Sequence, residues 1–378
     1  MKKGPAFFID LLLALAVAAA VILYSGTLYG EVAGTDNIGS PRQSPLAIEK
    51  PETTRLLAVG DIMLSRKVNT LIQENSLNYP VAKMADFLAA ADITVANLES
   101  PLSVTGTRLP GKGIWFRAPR ENVQVLLTAG IDLVTLANNH MVDYDTPALL
   151  ETREVLDEAG IKHVGAGAND TEARQPLIAE VNGLKIAYLG YSEMGDIFFS
   201  YNYVRPLKAS DTRAGINNFT VERVLEDVKK VREQADIVIV MLHWGLEYEY
   251  YPEDYQRLAA HRLIDGGVDL LIGHHPHCIQ RVETYNGGII AYSLGNFIFD
   301  QNFSDQTREG LVFEVELSSL GWVQAKLHPV FILESQPYLC TGEQADSILN
   351  RTMEISEGFG ANLKRDGDTL LILTQSKD

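Results

Sequence analysis

An apolar stretch beginning at Val268 runs through Leu270-Leu271-Ile272-Gly273 into three histidines, His274, His275 and His277, within four positions. The run has the length and branched character of a buried strand, which Gly273 and Pro276 then break. The histidines therefore sit on a loop at a strand's carboxyl end, the edge where open α/β sheets place ligands. Neutral imidazole is the commonest nitrogen ligand for zinc-like ions, and one loop can deliver two nitrogens to one site. Solvated loop histidines or a cloning tag are the ordinary explanations for such a run. A tag is terminal and longer, however, and a buried strand rarely ends in clustered histidine without a charge to bind.

The same pattern recurs upstream. Arg55 to Gly60 reads as a first strand ending in Gly60-Asp61-Ile62-Met63-Leu64, and Asp92 to Ala96 as a second ending in Asn97-Leu98-Glu99-Ser100-Pro101. Asp132 to Ala137 is a third, ending in Asn138-Asn139-His140, and Ile237 to Leu242 runs into His243. Helical patterns at Val81–Ala90, Val123–Ala129, Thr146–Ala159, Phe219–Gln234 and Asp254–Asp265 separate these strands, giving the βαβ rhythm of an α/β fold. Each acid or amide alone is an ordinary turn or cap residue. Their recurrence at successive strand ends is what points to a site. Asn182-Gly183 between Leu177–Val181 and Leu184–Tyr191 predicts a hairpin. The aromatic and polar section Ser192–Ile216 predicts a covering loop. Ile289–Ser293 is a further strand; Leu311–Leu317 and Trp322–Leu333 are expected to pair as edge strands. Beyond Ser335 the pattern weakens to one helix, Gln344–Met353, and a polar end.

With 378 residues the chain can bury a large core. Its net charge of −17 argues against nucleic acid, whose binders need a basic footprint. An acidic chain handling an anionic substrate needs a local positive centre, which a bound divalent ion supplies. Two cysteines, Cys278 and Cys340, make no disulfide framework.

At the amino-terminal end, Lys2 and Lys3 precede an apolar segment with one charge, Asp10. Residues 7–29 have about the ~20 residues that span a bilayer. The lysines favour a cytoplasmic amino terminus (residues 1–6) and an extracytoplasmic body. A cleaved signal peptide with a site in Ala18-Ala19-Ala20 is the rival reading. It would leave the greasy terminus Val21–Tyr24, which favours an uncleaved, single-pass anchor in the cell membrane. Residues 30–53 read as a tether.

The strand-end set is Asp61, Glu99, Asn139, His140, His243, His275 and His277. Its mixture of carboxylate, amide oxygen and imidazole suits manganese, iron or zinc and is too rich in nitrogen for calcium or magnesium. Six candidate ligands exceed the needs of one ion, so two ions sharing a carboxylate is the natural count. Such a pair clamps a phosphoryl group. His140, adjacent to Asn139, is placed to protonate a leaving oxygen or steady transition-state charge. There is no phosphate-binding glycine loop, no Gly-x-Ser-x-Gly elbow and no Cys/His nucleophile pair.

Six ordered motifs carry a resemblance. They are Gly60-Asp61-Ile62-Met63-Leu64, Asn97-Leu98-Glu99-Ser100-Pro101, Asn138-Asn139-His140-Met141-Val142-Asp143-Tyr144, His243-Trp244-Gly245-Leu246-Glu247-Tyr248, Gly273-His274-His275-Pro276-His277 and Tyr292-Ser293-Leu294-Gly295-Asn296-Phe297. Across roughly Arg55 to Leu333 the chain resembles the bacterial capsule-biosynthesis proteins called CapA or PgsA. The resemblance implies a role in making or exporting poly-γ-glutamate beside a membrane-bound ligase. It also implies the α/β calcineurin-like metallophosphoesterase fold, two β-sheets flanked by helices in an αββα sandwich, here over residues 54–335 with a C-terminal extension at 336–378. Carried over residue by residue, Glu99 matches the bridging acid, Asn139, His243 and His275 the second metal's ligands, and Asp61 and His277 the first metal's. His140 matches the catalytic histidine. Two departures bear on the metal shell: Met63 replaces the histidine of the superfamily's Asp-x-His motif, and Glu99 replaces the usual aspartate. Within the CapA pattern, Asp145 also stands where glycine is usual after Asp143-Tyr144.

Three hypotheses follow: an extracytoplasmic metal-dependent hydrolase of phosphoester or related bonds; a non-hydrolytic accessory subunit that binds an anionic polymer or a poly-γ-glutamate ligase; and an anchored domain whose histidines bind metal for stability alone. The presence of His140, which no structural metal site requires, disfavours the third.

Overall fold

Every residue of the strand Thr54–Ile62 except Thr54, Arg55 and Asp61 is apolar or glycine, and all but Arg55 are buried. A strand covered on both faces reads as a near-continuous apolar run rather than an alternating one. The computed structural model describes residues 53–196 and 203–373. The expected membrane anchor at 7–29 and nearly all of the tether at 30–53 lie outside the described residues. Among the described residues no helix is long and apolar enough to cross a membrane.

Along the chain come strands β1 (Thr54–Ile62), β2 (Ile93–Leu98), β3 (Leu133–Thr135), β4 (Lys162–Val164), β5 (Ala166–Gly167), β6 (Leu177–Val181), β7 (Leu184–Ser192), β8 (Gly215–Ile216) and β9 (Ile237–His243). They are followed by β10 (Leu270–His274), β11 (Val282–Tyr285), β12 (Gly288–Ala291), β13 (Asn296–Ile298), β14 (Glu309–Ser318), β15 (Gly321–Leu333), β16 (Gln336–Leu339), β17 (Asn362–Asp366) and β18 (Thr369–Leu373). A first sheet has the order β17-β18-β15-β14-β1-β2-β3-β4, with β13 also beside β1 and β16 beside β15. Its β1 to β4 half is parallel, and the half from β14 outward is antiparallel. The second sheet runs β11-β12-β10-β9-β7-β6, parallel in its middle and closed by antiparallel edges.

Successive strand residues face opposite sides, so each sheet has two apolar faces. Leu56, Val95, Leu133 and Phe313 of the first sheet meet Ile186, Ile239, Met241 and Leu270 of the second in one buried layer. On its other face the first sheet packs Leu57, Val59 and Val134 under Val68, Leu126 and Leu149 of helices. The second packs Val238, Val240 and Leu271 under Val224, Val228 and Leu263. The result is a mixed α/β fold, with multiple sheets flanked by helices.

Several expectations need correction. Val81–Ala90 is not one helix but a 3-10 turn, Tyr79–Val81, and a single helical turn, Ala85–Leu88. A helix at Arg66–Glu74, not expected from the sequence above, buries Val68, Leu71 and Ile72, a helical i, i+3, i+4 face only about one turn long. The strands β14 and β15 do pair, but inside the sheet: β1 flanks one and β18 the other. The supposed polar end is the hairpin β17–β18, whose Leu370 and Ile372 are buried against Leu327 and Ala325. Its first strand, β17, is polar and largely exposed, whereas in β18 Leu370 to Leu373 form an apolar run whose alternate residues are buried.

Candidate metal centre

The carboxyl ends of the parallel strands in both sheets meet at one edge. Asp61 lies at the end of β1, in register with Asn97 of β2 and Asn296 of β13. Gly60 permits that three-strand crowding, since a Cβ there would sit 2.0 Å from the Gly295 carbonyl oxygen. Glu99 follows β2, its N–H donating to the Ile62 carbonyl at 2.7 Å. Asn139 and His140 occupy the turn after β3. Asn138 clamps that turn: its Oδ1 accepts from the His140 and Met141 N–H groups, and its Nδ2 donates to Asn97 Oδ1 and the Leu98 carbonyl. His243 ends β9. His275 and His277 follow β10 with φ of 100° and 56°, a region costly for any side-chain-bearing residue. Such strain persists where the surroundings over-determine it, commonly at functional sites.

Two buried groups result, Asp61–Glu99–His277 and Glu99–His243–His275, each with donor atoms within 4.8 Å of one another. Glu99 belongs to both. Glu99 Oε1 lies 3.8 Å from His277 Nε2 and 4.0 Å from His243 Nε2. Asn139 Oδ1 is 2.9 Å from His243 Nε2, which brings it to the second group. Asp61 Oδ1 accepts from Asn97 Nδ2 at 2.8 Å. Met63 joins neither group. Its thioether accepts from the Ser65 N–H and hydroxyl at 3.1 and 3.0 Å.

His140 lies outside both groups, with Nε2 4.0 Å from Glu99 Oε1. Its Nδ1 is 2.7 Å from Asp143 Oδ2. Asp143 also accepts from the Phe116 N–H at 2.6 Å and from the Lys112 ammonium, and Lys112 donates as well to the Asn139 carbonyl at 2.5 Å. The Phe116 ring stacks on His140 at 3.8 Å. Lys112, Phe116 and Asp143 escape assignment from sequence. Asp143 had a signal in its three-residue spacing from His140, whereas Lys112 and Phe116 arrive from a loop with no periodic pattern. His274, inside the Gly273–His277 motif, matches none of the site positions that the resemblance carries over.

Electrostatics divide these groups. Burial is the largest influence on Asp61 and pushes it up, but the adjacent His274 and His277 outweigh it and hold the carboxyl well below its usual range. Burial, then the charge of Asp61, drives Glu99 well above its usual range. Burial lowers His140 to about 4. Burial and the neighbouring His277 lower His275 to about 3; burial and His275 hold His243 well below its ordinary value. Burial also opposes charge on His277, yet Glu99 and Asp61 raise it to about 9. His243 and His275 are therefore neutral at pH 7 and shed no proton on binding an ion.

The residues fit a bound metal ion. Glu99 Oε1 and His275 Nδ1 are buried without a hydrogen-bond partner among the described residues. Buried polar atoms are ordinarily satisfied, so such orphans call for a ligand. The donor chemistry is that of a borderline transition ion. Beside it opens a cleft of about 970 Å³ lined by Lys112, Asn139, His140, Glu193, Glu247 and His275.

Residues 55–301, which contain every one of these strand-end groups, match the family model described as "Bacterial capsule synthesis protein PGA_cap". The chain belongs to this family. Relatives of this PGA_cap member include the "Capsule biosynthesis protein CapA" of Bacillus anthracis, 29% identical over 341 residues that span 88% of this chain and 81% of that protein. The "PGA biosynthesis protein CapA" of Bacillus subtilis (strain 168) is 31% identical, over 74% of this chain and 72% of that protein. A Mycobacterium tuberculosis (strain ATCC 25618 / H37Rv) relative, named "Probable polyglutamine synthesis accessory protein", is 26% identical over 83% of this chain and 86% of that one.

Proposed function

We propose that this PGA_cap member works in poly-γ-glutamate capsule synthesis or export as a membrane-anchored, extracytoplasmic metallohydrolase of phosphoester or related bonds, built on a calcineurin-like metallophosphoesterase fold. The observation that carries the reading is Glu99, shared between two buried three-residue groups, with His140 set beside them but in neither. Asp61, Glu99 and His277 would hold one divalent ion; Glu99, Asn139, His243 and His275 would hold the other. Manganese, iron or zinc in these positions would offset the charge of an anionic substrate and polarise the bond to be cleaved. His140 presents Nε2 toward Glu99 while Nδ1 is engaged by Asp143, which fixes the ring's orientation. From there the ring would steady transition-state charge, or give a proton to a leaving oxygen once an anionic substrate raises it from about 4. Lys112 neutralises Asp143 and ties it to the Asn139 backbone, and Phe116 keeps the stacked face of the imidazole dry. The capsule role rests on the names of the Bacillus relatives; the anchor rests on residues 7–29 and the lysines before them.

A non-catalytic accessory role is the second reading, favoured by Met63. Its sulfur is engaged by Ser65, so the Asp61 group has one imidazole fewer than the resemblance leads one to expect.

Full-length protein purified in detergent without chelator, analysed for metals and assayed on bis(p-nitrophenyl) phosphate, separates these readings. Two equivalents of a transition metal with turnover support the hydrolase. Two equivalents without turnover, with capsule polymer unaffected by His140→Ala in cells, support the accessory role. Less than about a third of an equivalent, with none regained on soaking, overturns the metal centre.

A further inference from the structure

His274 is fully buried, and neither ring nitrogen has a hydrogen-bond partner among the described residues. It closes β10 in parallel register with His243 of β9, so the two imidazoles project from the same face of the sheet. That face is the one on which His243 meets Asn139 and Glu99. His274 is absent from both three-residue groups, and its Nδ1 lies 3.4 Å from Asp61 Oδ1. This is slightly beyond a well-formed N–H···O bond and close enough to become one with a small carboxylate rotation. Asp61 already accepts from Asn97 at Oδ1 and from the His275 N–H at Oδ2, 3.3 Å away. Its group also lacks whatever a histidine at position 63 would have added.

We infer that His274 is a positioning residue for Asp61: its Nδ1–H holds the carboxylate aimed at the first ion, partly offsetting the thin shell left by Met63. The inference rests on the metal-centre reading above. Carboxylates that bind metals are themselves held by outer hydrogen bonds, and removing such a partner weakens metal binding roughly 10–100-fold. The role needs a hydrogen-bond donor at that spot and does not need an imidazole lone pair, which separates it from direct ligation and from packing.

The test uses full-length protein, stripped of metal and titrated with cobalt(II), with uptake followed by elemental analysis and the cobalt visible spectrum. His274→Leu keeps volume without a donor; His274→Gln keeps a donor without an imidazole. Wild type is expected to take up two ions. His274→Leu should bind the weaker one roughly 10–100-fold less tightly, and His274→Gln should restore affinity with the wild-type spectrum. Thermal melts of the metal-free proteins exclude misfolding as the cause. A Leu variant that binds both ions like wild type assigns His274 to packing and overturns the inference, as does a Gln variant as weak as Leu, which assigns the loss to the imidazole. Both outcomes leave the metal centre standing. A wild type that takes up no cobalt overturns the centre and this inference together.

Discussion

Seven polar side chains are buried at one edge, and on the proposed hydrolase reading they differ in what their loss should do. His140 touches neither three-residue group as a member, so His140→Ala is expected to leave metal content near wild type. Turnover of an activated phosphodiester should fall roughly 10²–10⁴-fold, the usual worth of a positioned acid–base group. Full activity in that variant would remove His140 from the mechanism. His275 and His277 offer a second contrast. His275 belongs to the group that also has His243 and Asn139, whereas His277 belongs to the group that lacks an imidazole at Met63. His275→Ala should therefore cost more retained metal than His277→Ala, measured by elemental analysis of the purified variants. Equal losses would mean that the two ions bind as one cooperative unit.

At the scale of elements, the turn after β2 is held by Glu151 of the helix Asp145–Ala159. Its carboxylate accepts from the hydroxyls of Ser103 and Thr105 at 2.7 and 2.6 Å and from the N–H groups of Val104 and Thr105. Burial pushes Glu151 up, yet these donors outweigh it and hold it at about 2 against an ordinary 4.5. A folded-state value below the unfolded one contributes stability that is present above 4.5 and lost as pH falls through about 2. Glu151→Gln should melt below wild type at pH 7, with the gap narrowing between pH 4.5 and 2; a gap constant across that window would contradict the assignment. The β17–β18 hairpin belongs to the same scale. Leu370 has no exposed surface and packs in the layer between the sheets, so Leu370→Ala should cost roughly 2–5 kcal/mol in denaturant titrations. A cost below about 1 kcal/mol would mean that the hairpin is a detachable appendage.

For the whole molecule, the expected arrangement is a short cytoplasmic tail, an anchor at 7–29 and a body outside the membrane. Protease added to intact protoplasts should then remove the body, while full protection until the membrane is broken would reverse the orientation. An extracytoplasmic site has no access to cytoplasmic nucleotide pools. On that proposed arrangement its substrate would come from the envelope.

By itself the sequence determined which strands are buried and which polar residues follow them. Apolar runs such as Leu270–Ile272 give way to polar residues where each strand ends, and polar residues at successive strand ends of an α/β pattern gather at one edge of the sheet. That local rule was enough to select Asp61, Glu99, Asn139, His140, His243, His275 and His277, and their order was enough to point to a family. It could not say that the ends of two separate sheets face each other, because that depends on side chains such as Leu56 and Ile239 meeting far apart in the chain. The same limit hid Lys112 and Phe116 behind His140, since a loop residue's partner is set by packing and not by period. It also hid the fate of Met63 and His274. Only the tertiary structure decides that one sulfur turns back to Ser65 while one imidazole, on a strand registered with that of His243, is left facing Asp61.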